Sequence, residues 1–285
     1  MKKFFQNTLA FIATIVSGLA LFSSTLMADN LKVALAAEPT SMDPHYQNLT
    51  INNSFATQVF NALVLQDVNQ NLIPGLASSW TPVDENTWEF KLRPGVKFHN
   101  GASFSAEDVV ATMKRAANVP NSPSSFGTFI KGKTFEIIDD LTLHVSTEKP
   151  YPFTPNDMSR VAIIDSAFEN ATTEDFNTGK ATFGTGPFTF SKWMPGDLIE
   201  IKRNDNYWGS AVEWDSITIR PIKDGTTRTA ALISGDVDFI ERVAPADLPN
   251  LEKRDGIKVF RSVSNRLLYL TLHMTDNPIK PYVTD

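Results

Sequence analysis

The 285-residue sequence contains no cysteine. A disulfide framework and a lipid-modified cysteine behind a leader are therefore excluded, and any fold must rest on a core large enough to need no staples. Histidine is scarce, with four in all. None of His45, His99, His144 and His273 is followed by Glu in a zinc-binding helix pattern, and no Gly-x-Ser-x-Gly turn occurs, so metal and serine hydrolysis lack their usual parts. A basic excess is missing too: 26 Lys and Arg face 32 Asp and Glu, for a net charge of −6. Such a chain is soluble and a poor nucleic-acid binder.

Long apolar runs are also rare. The one from Leu9 to Phe22 is interrupted by Ser and Gly and is shorter than the ~20 residues of a spanning helix. With Lys2 and Lys3 before it and Leu26-Met27-Ala28 after it, it reads as a signal peptide cut after Ala28, giving an exported protein of the periplasm. The rest is well supplied for folding, with 42% apolar and 11% aromatic residues. Disorder is excluded, and one large domain or two smaller units fit the length.

Leu31 to Ala36 alternates as a strand does, and Glu38-Pro39-Thr40-Ser41-Met42-Asp43-Pro44 breaks it into a polar loop. Ile51, Phe55, Val59 and Leu63 recur at helical spacing. Trp88, Phe90 and Leu92 alternate with Glu89 and Lys91, and Arg93-Pro94-Gly95 predicts a hairpin returning through Val96 to Phe98. Ser105 stands three residues before Asp108 and opens a helix carrying Val109, Val110, Met113 and Ala117, which ends before Pro120. Phe135 to Ile138 and Leu141 to Val145 flank Asp139-Asp140 as a second hairpin. Strands are expected at 188–190, 199–202 and 217–220, and a helix from Thr226 to Ser234 capped by Gly235. Short strands mixed with capped helices, without regular alternation, give a mixed α/β (α+β) class.

Gly127-Thr128-Phe129-Ile130-Lys131-Gly132-Lys133-Thr134 matches the nucleotide-binding P-loop as a string. The mechanism needs a buried strand before the loop and a helix after it, so that the helix N-terminus faces the phosphates. Here Asn121 to Ser125 precedes and a strand-turn-strand follows, so the match reads as a decoy for a nucleotide-binding enzyme. Asp139-Asp140 and Asp84-Glu85 are better explained as turn residues than as acid/base pairs, since neighbours in strands point apart. No catalytic residue, cofactor or metal site is assigned.

Six segments in order carry more. They are Pro74 to Trp80, Trp88 to Gly101, Phe104 to Val109, Gly184-Thr185-Gly186-Pro187-Phe188, Arg203-Asn204-Asp205-Asn206-Tyr207-Trp208-Gly209, and Ala230 to Asp238. Over nearly the whole mature chain they resemble the peptide/nickel-type family of extracellular solute-binding proteins, family 5. The resemblance implies a fold like the type II periplasmic binding proteins, whose two lobes close on a solute and dock on an ABC permease in the inner membrane. It implies a monomer that takes a di- or oligopeptide or a glutathione-like solute, with chelated nickel and sugars open. Ligand contacts are implied at Glu38, Pro39, Thr40 and Ser41 in the loop after the first strand, and at Arg266 and Tyr269 near the crossover. Glu38 would meet an amino group and Arg266 a carboxylate.

The organisation this implies is a signal peptide at 1–28, the opening part of the first lobe at 29–55, an inserted subdomain at 56–183, and the first lobe again at 184–285. Pro278 to Asp285 resembles the connection into a second lobe, so that lobe is expected to be absent and solute binding by this chain alone weak. The alternative is a non-binding truncated fragment.

Overall fold

The computed structural model describes residues 29–263. The expected signal peptide and the expected ligand residues Arg266 and Tyr269 lie outside them. The described residues fall into two compact units, one ending at Val243 and one beginning at Ala244.

In the first unit the elements run β1 (Asn30–Leu35), α1 (Thr50–Val59), β2 (Val64–Gln66), β3 (Leu72–Pro74), β4 (Ala77–Pro82), β5 (Thr87–Leu92), α2 (Ala106–Ala116), α3 (Gly127–Ile130), β6 (Lys133–Asp139) and β7 (Thr142–Thr147). There follow α4 (Thr154–Met158), a 3-10 turn at Ser166–Phe168, α5 (Thr173–Asn177), β8 (Phe188–Met194), β9 (Leu198–Arg203), β10 (Ser216–Pro221), α6 (Gly225–Ser234) and β11 (Phe239–Ile240). The second unit contains α7 (Leu248–Leu251), followed by an ion pair between Arg261 and Glu252.

Two sheets organise the first unit. The first has the order β11-β1-β10-β9-β8, with β1 parallel to β10 and β11 and the β8-β9-β10 side antiparallel. Its strands come from both ends of the unit. Between them in sequence lies the second sheet, the antiparallel β4-β5-β7-β6. Residue alternation explains its inner face: Phe90, Leu92, Leu143 and Val145 are buried and join one core with Val109 and Met113 of α2. Each such side chain contributes about 1.5–3 kcal/mol by burial. A second core packs Phe55, Ala56 and Val59 of α1 against Phe188, Ile199 and Ile201 of the first sheet. The expected boundary between 55 and 56 thus falls inside α1, at two residues of one cluster.

Local signals account for most element ends. The Ser105 N–H donates to Asp108 at 2.8 Å in a capping box at the start of α2. Gly235 closes α6 in the left-handed region at φ 81°. The hairpin expected from Trp88 through Phe98 does not form. Both edges of β5 are taken, by β4 and β7, so Val96 to Phe98 cannot add to it. That segment folds on its own loop instead, with Phe98 N–H donating to the Ala102 carbonyl and Phe104 N–H to that of Val96.

Three distant segments meet at the end of α1. Gly186 N–H donates to the Val59 carbonyl at 2.9 Å, and His99 N–H to the Gly184 carbonyl at 2.8 Å. The His99 ring completes the join, with Nε2 on the Gly186 carbonyl at 3.0 Å and Nδ1 receiving Gly184 N–H at 3.2 Å. A carbonyl only accepts, so the proton sits on Nε2. Burial holds the ring below its ordinary pKa, against the Gly186 hydrogen bond that favours protonation.

Candidate functional site

The loop leaving β1 is the natural place for a site. β1 runs inside the first sheet between two parallel neighbours, and loops at the carboxyl ends of parallel strands are where such sheets place ligands. The four expected residues differ in what they do there.

Glu38 is half-buried and reaches the tip of the β8-β9 hairpin. Its carboxylate accepts from Gly196 N–H at 2.9 and 3.0 Å and from the Trp193 indole N–H at 3.3 Å. Gly196 has φ 79°, the left-handed value that the hairpin tip requires. Among the described residues no cation pairs with Glu38. Its two oxygens are thus oriented by neutral donors, and no described cation compensates the charge.

Pro39 is buried and, with Val33, Leu35, Phe55, Ile217 and Ile219, lines an apolar cavity of about 180 Å³ over the sheet. Thr40 is exposed; its hydroxyl donates to Gln47 at 2.7 Å and accepts from the Asn52 amide at 3.0 Å. Ser41 is buried and turned away from solvent, its hydroxyl donating to Asn177 Oδ1 at 2.7 Å and accepting from Asp43 N–H at 3.0 Å.

Behind Ser41 lies a polar cluster that periodicity and motif reading did not single out. Asp43, His45 and Arg115 are 1%, 0% and 8% exposed. Arg115 donates to both Asp43 oxygens, at 2.9 and 2.7 Å, and its first fork nitrogen also donates to His45 Nδ1 at 2.9 Å. Thr173 and the His45 N–H complete the carboxylate's shell, each at 2.9 Å. His45 Nε2 donates to the Ala162 carbonyl at 2.7 Å, which fixes the tautomer and leaves Nδ1 as the acceptor Arg115 needs. The guanidinium also donates to the Ala171 carbonyl at 3.1 Å and lies 4.5 Å from the Phe176 ring centre. Burial, and after it Arg115, push His45 down to about 4. Burial alone would raise the Asp43 carboxyl, but the Arg115 fork and the adjoining donors hold it below its ordinary value.

The signal for this cluster was present in α2. Asp108, Thr112 and Arg115 recur at helical spacing beside the apolar stripe, and all three are buried. Each binds the segment running over them: Asp108 accepts from Ser166 N–H, Thr112 exchanges bonds with Ile164, and Arg115 reaches Ala171.

The P-loop-like string has none of a phosphate loop's geometry. Gly127–Ile130 is the one-turn α3, Gly132 turns at φ 77°, and Lys133 and Thr134 begin β6. The Lys133 side chain is buried, 2.6 Å from Asp157 and 4.6 Å from the Tyr151 ring centre. No group of three or more metal-ligating side chains is gathered among the described residues.

Comparisons with known proteins bear on this geometry. The model of bacterial extracellular solute-binding proteins, family 5, matches residues 71–282. The glutathione-binding protein GsiB of Pectobacterium atrosepticum is 29% identical over 269 residues, covering 94% of this chain and 52% of that protein. This chain spans about half the length of the curated relatives it matches. Among solved structures, NikZ of Campylobacter jejuni, in complex with Ni(L-His), superposes with a TM-score of 0.71 at 26% identity, over 81% of this chain and 46% of that one. The periplasmic binding protein DppA of Helicobacter pylori, in complex with the peptide STSA, gives 0.72 at 24% identity, over 80% and 50%, a likeness of fold. The mixed α/β fold is that of these type II binding proteins. The family model covers most of the chain's length: the chain belongs to the bacterial extracellular solute-binding proteins of family 5.

Proposed function

We propose that this chain supplies the first-lobe side of a solute site in an ABC importer outside the cytoplasm, and that the solute is a peptide or glutathione-like molecule with a free amino group. The observation that carries the reading is Glu38. Two neutral donors aim its carboxylate, no described cation neutralises it, and exposed Thr40 stands two residues on. A fixed, uncompensated carboxylate at a loop rim is a receptor for an ammonium group, and a charge-assisted hydrogen bond of this kind is worth about 1.5–3 kcal/mol. The relatives' solutes, glutathione in GsiB and a tetrapeptide in DppA, both carry such an amine. The partner is a membrane permease and the working form a monomer.

Titration with glutathione and with its N-acetylated form tests this. The free amine is expected to bind about tenfold or more tightly than the acetylated form, and Glu38→Gln to remove that preference. Equal affinity for the two forms, or a preference that survives in Glu38→Gln, contradicts the reading.

A further inference from the structure

We propose that Arg115, in the helix α2, is a positioning residue for the solute loop, holding Ser41 and its neighbours in place by gripping Asp43 and the neutral ring of His45. This deepens the solute reading above and rests on it for the affinity arm of the test alone.

Between β1 and α1 the chain runs fourteen residues, 36–49, without regular structure apart from a bridge from Gln47 to Ser124, beside which Asn48 N–H donates to the Ser124 carbonyl at 3.0 Å and the Ser122 hydroxyl to the Tyr46 carbonyl at 2.6 Å. Its rim end is tied at Glu38. Its middle is tied at Asp43 and His45, and those ties lead to α2 and the 162–177 segment, not to the sheet that carries the loop. Ser41 sits where the ties meet. Its hydroxyl accepts from Asp43 N–H, and Asn177 Oδ1, which receives the Ser41 hydroxyl, also receives Met42 N–H at 3.0 Å.

Burying a full ion pair inside a core is a poor route to stability, because desolvation offsets the attraction. Its geometric effect is larger. A forked guanidinium against a carboxylate has one good arrangement, and a second nitrogen bond to His45 Nδ1 removes the remaining freedom. Asp43 uses both oxygens, His45 both ring nitrogens, and Arg115 both terminal nitrogens, so a shift of the loop breaks several bonds at once. The groups facing His45 are Arg115 and Asp43; its other neighbours, Phe126 at 6.1 Å and the Ala162 carbonyl, carry no charge.

Arg115→Lys keeps the cation and removes the fork. The readouts are the amide resonances of Thr40 and Ser41 and the indole N–H of Trp193, which reports Glu38, with the amides of Phe90 and Leu143 as controls in β5 and β7. The loop and indole resonances are expected to shift or broaden while the controls hold, and glutathione affinity to fall about tenfold. Unchanged loop resonances in the folded variant overturn the proposal, as does an unchanged affinity with a moved loop. If Arg115→Lys does not fold, the paired neutral variant Asp43→Asn with Arg115→Gln is read in the same way. A wild-type chain that shows no response to glutathione defeats the solute reading, while the loop resonances still decide the role of Arg115.

Discussion

Arg115 grips both carboxylate oxygens of Asp43, 72 residues earlier in the chain, at 2.9 and 2.7 Å and out of reach of solvent. Removing one partner strands the other. Arg115→Met is expected to lower the unfolding free energy in urea by about 3–5 kcal/mol, the cost of an orphaned buried charge. The double variant Asp43→Asn, Arg115→Met should lose less than Arg115→Met alone, because no charge is left unpaired.

His45 gives the protein an acid limit. Its folded pKa of about 4 lies below the ordinary 6.5. The unfolded chain therefore binds the proton first, and stability is lost as pH falls from about 6.5 through 4. The loss reaches on the order of 3 kcal/mol once both states are protonated. His99, also held low by burial, adds to the same slope. Urea midpoints at pH 7 and pH 4.5 should differ accordingly, and His45→Gln should flatten the dependence.

Gly184 and Gly127 should respond in opposite ways to alanine. A Cβ at Gly184 would lie 2.0 Å from the Val59 carbonyl oxygen, backbone that cannot move aside without breaking the join at the end of α1. Gly184→Ala is expected to cost about 3 kcal/mol. A Cβ at Gly127 meets nothing nearer than the Ser125 hydroxyl at 3.2 Å. With α3 already helical, Gly127→Ala should be neutral to slightly stabilising in thermal melts.

Lys133 should behave as a buried ion-pair member. Lys133→Met is expected to lower the melting temperature by leaving Asp157 unpaired at 14% side-chain exposure. Magnesium ATP is expected to leave the melting temperature of the wild type unchanged, and a saturable rise would contradict the geometry of the Gly127–Thr134 turn.

The parts of the fold set by local chemistry could be read directly from sequence. Ser105 and Asp108 marked the start of α2, Gly235 the end of α6, and alternation at Phe188 to Phe190 and Ile199 to Lys202 the strands β8 and β9. Turn residues say where a chain bends and not which strand edges are vacant, which is why Val96 to Phe98 does not return along β5. The β1 loop was legible as a polar break, yet the division of labour within it was not. Glu38 is aimed by a hairpin tip more than 150 residues later, at Gly196, and Asp43 is held from α2. Such pairings depend on tertiary placement, which no local pattern encodes. The stripe of Asp108, Thr112 and Arg115 was visible in α2, and read for polar as well as apolar spacing it would have pointed to a buried network.

The proposed meeting of the Glu38 to Ser41 loop with a solute can be followed residue by residue. Amide and indole resonances followed while glutathione is added to the wild-type chain test it most directly. Shifts are expected to concentrate at Glu38, Thr40, Ser41 and the Trp193 indole, and to be lost in Glu38→Gln. Shifts confined elsewhere, such as the 590 Å³ groove lined by Asn118, Glu169 and Glu174, with the loop unmoved, would contradict it.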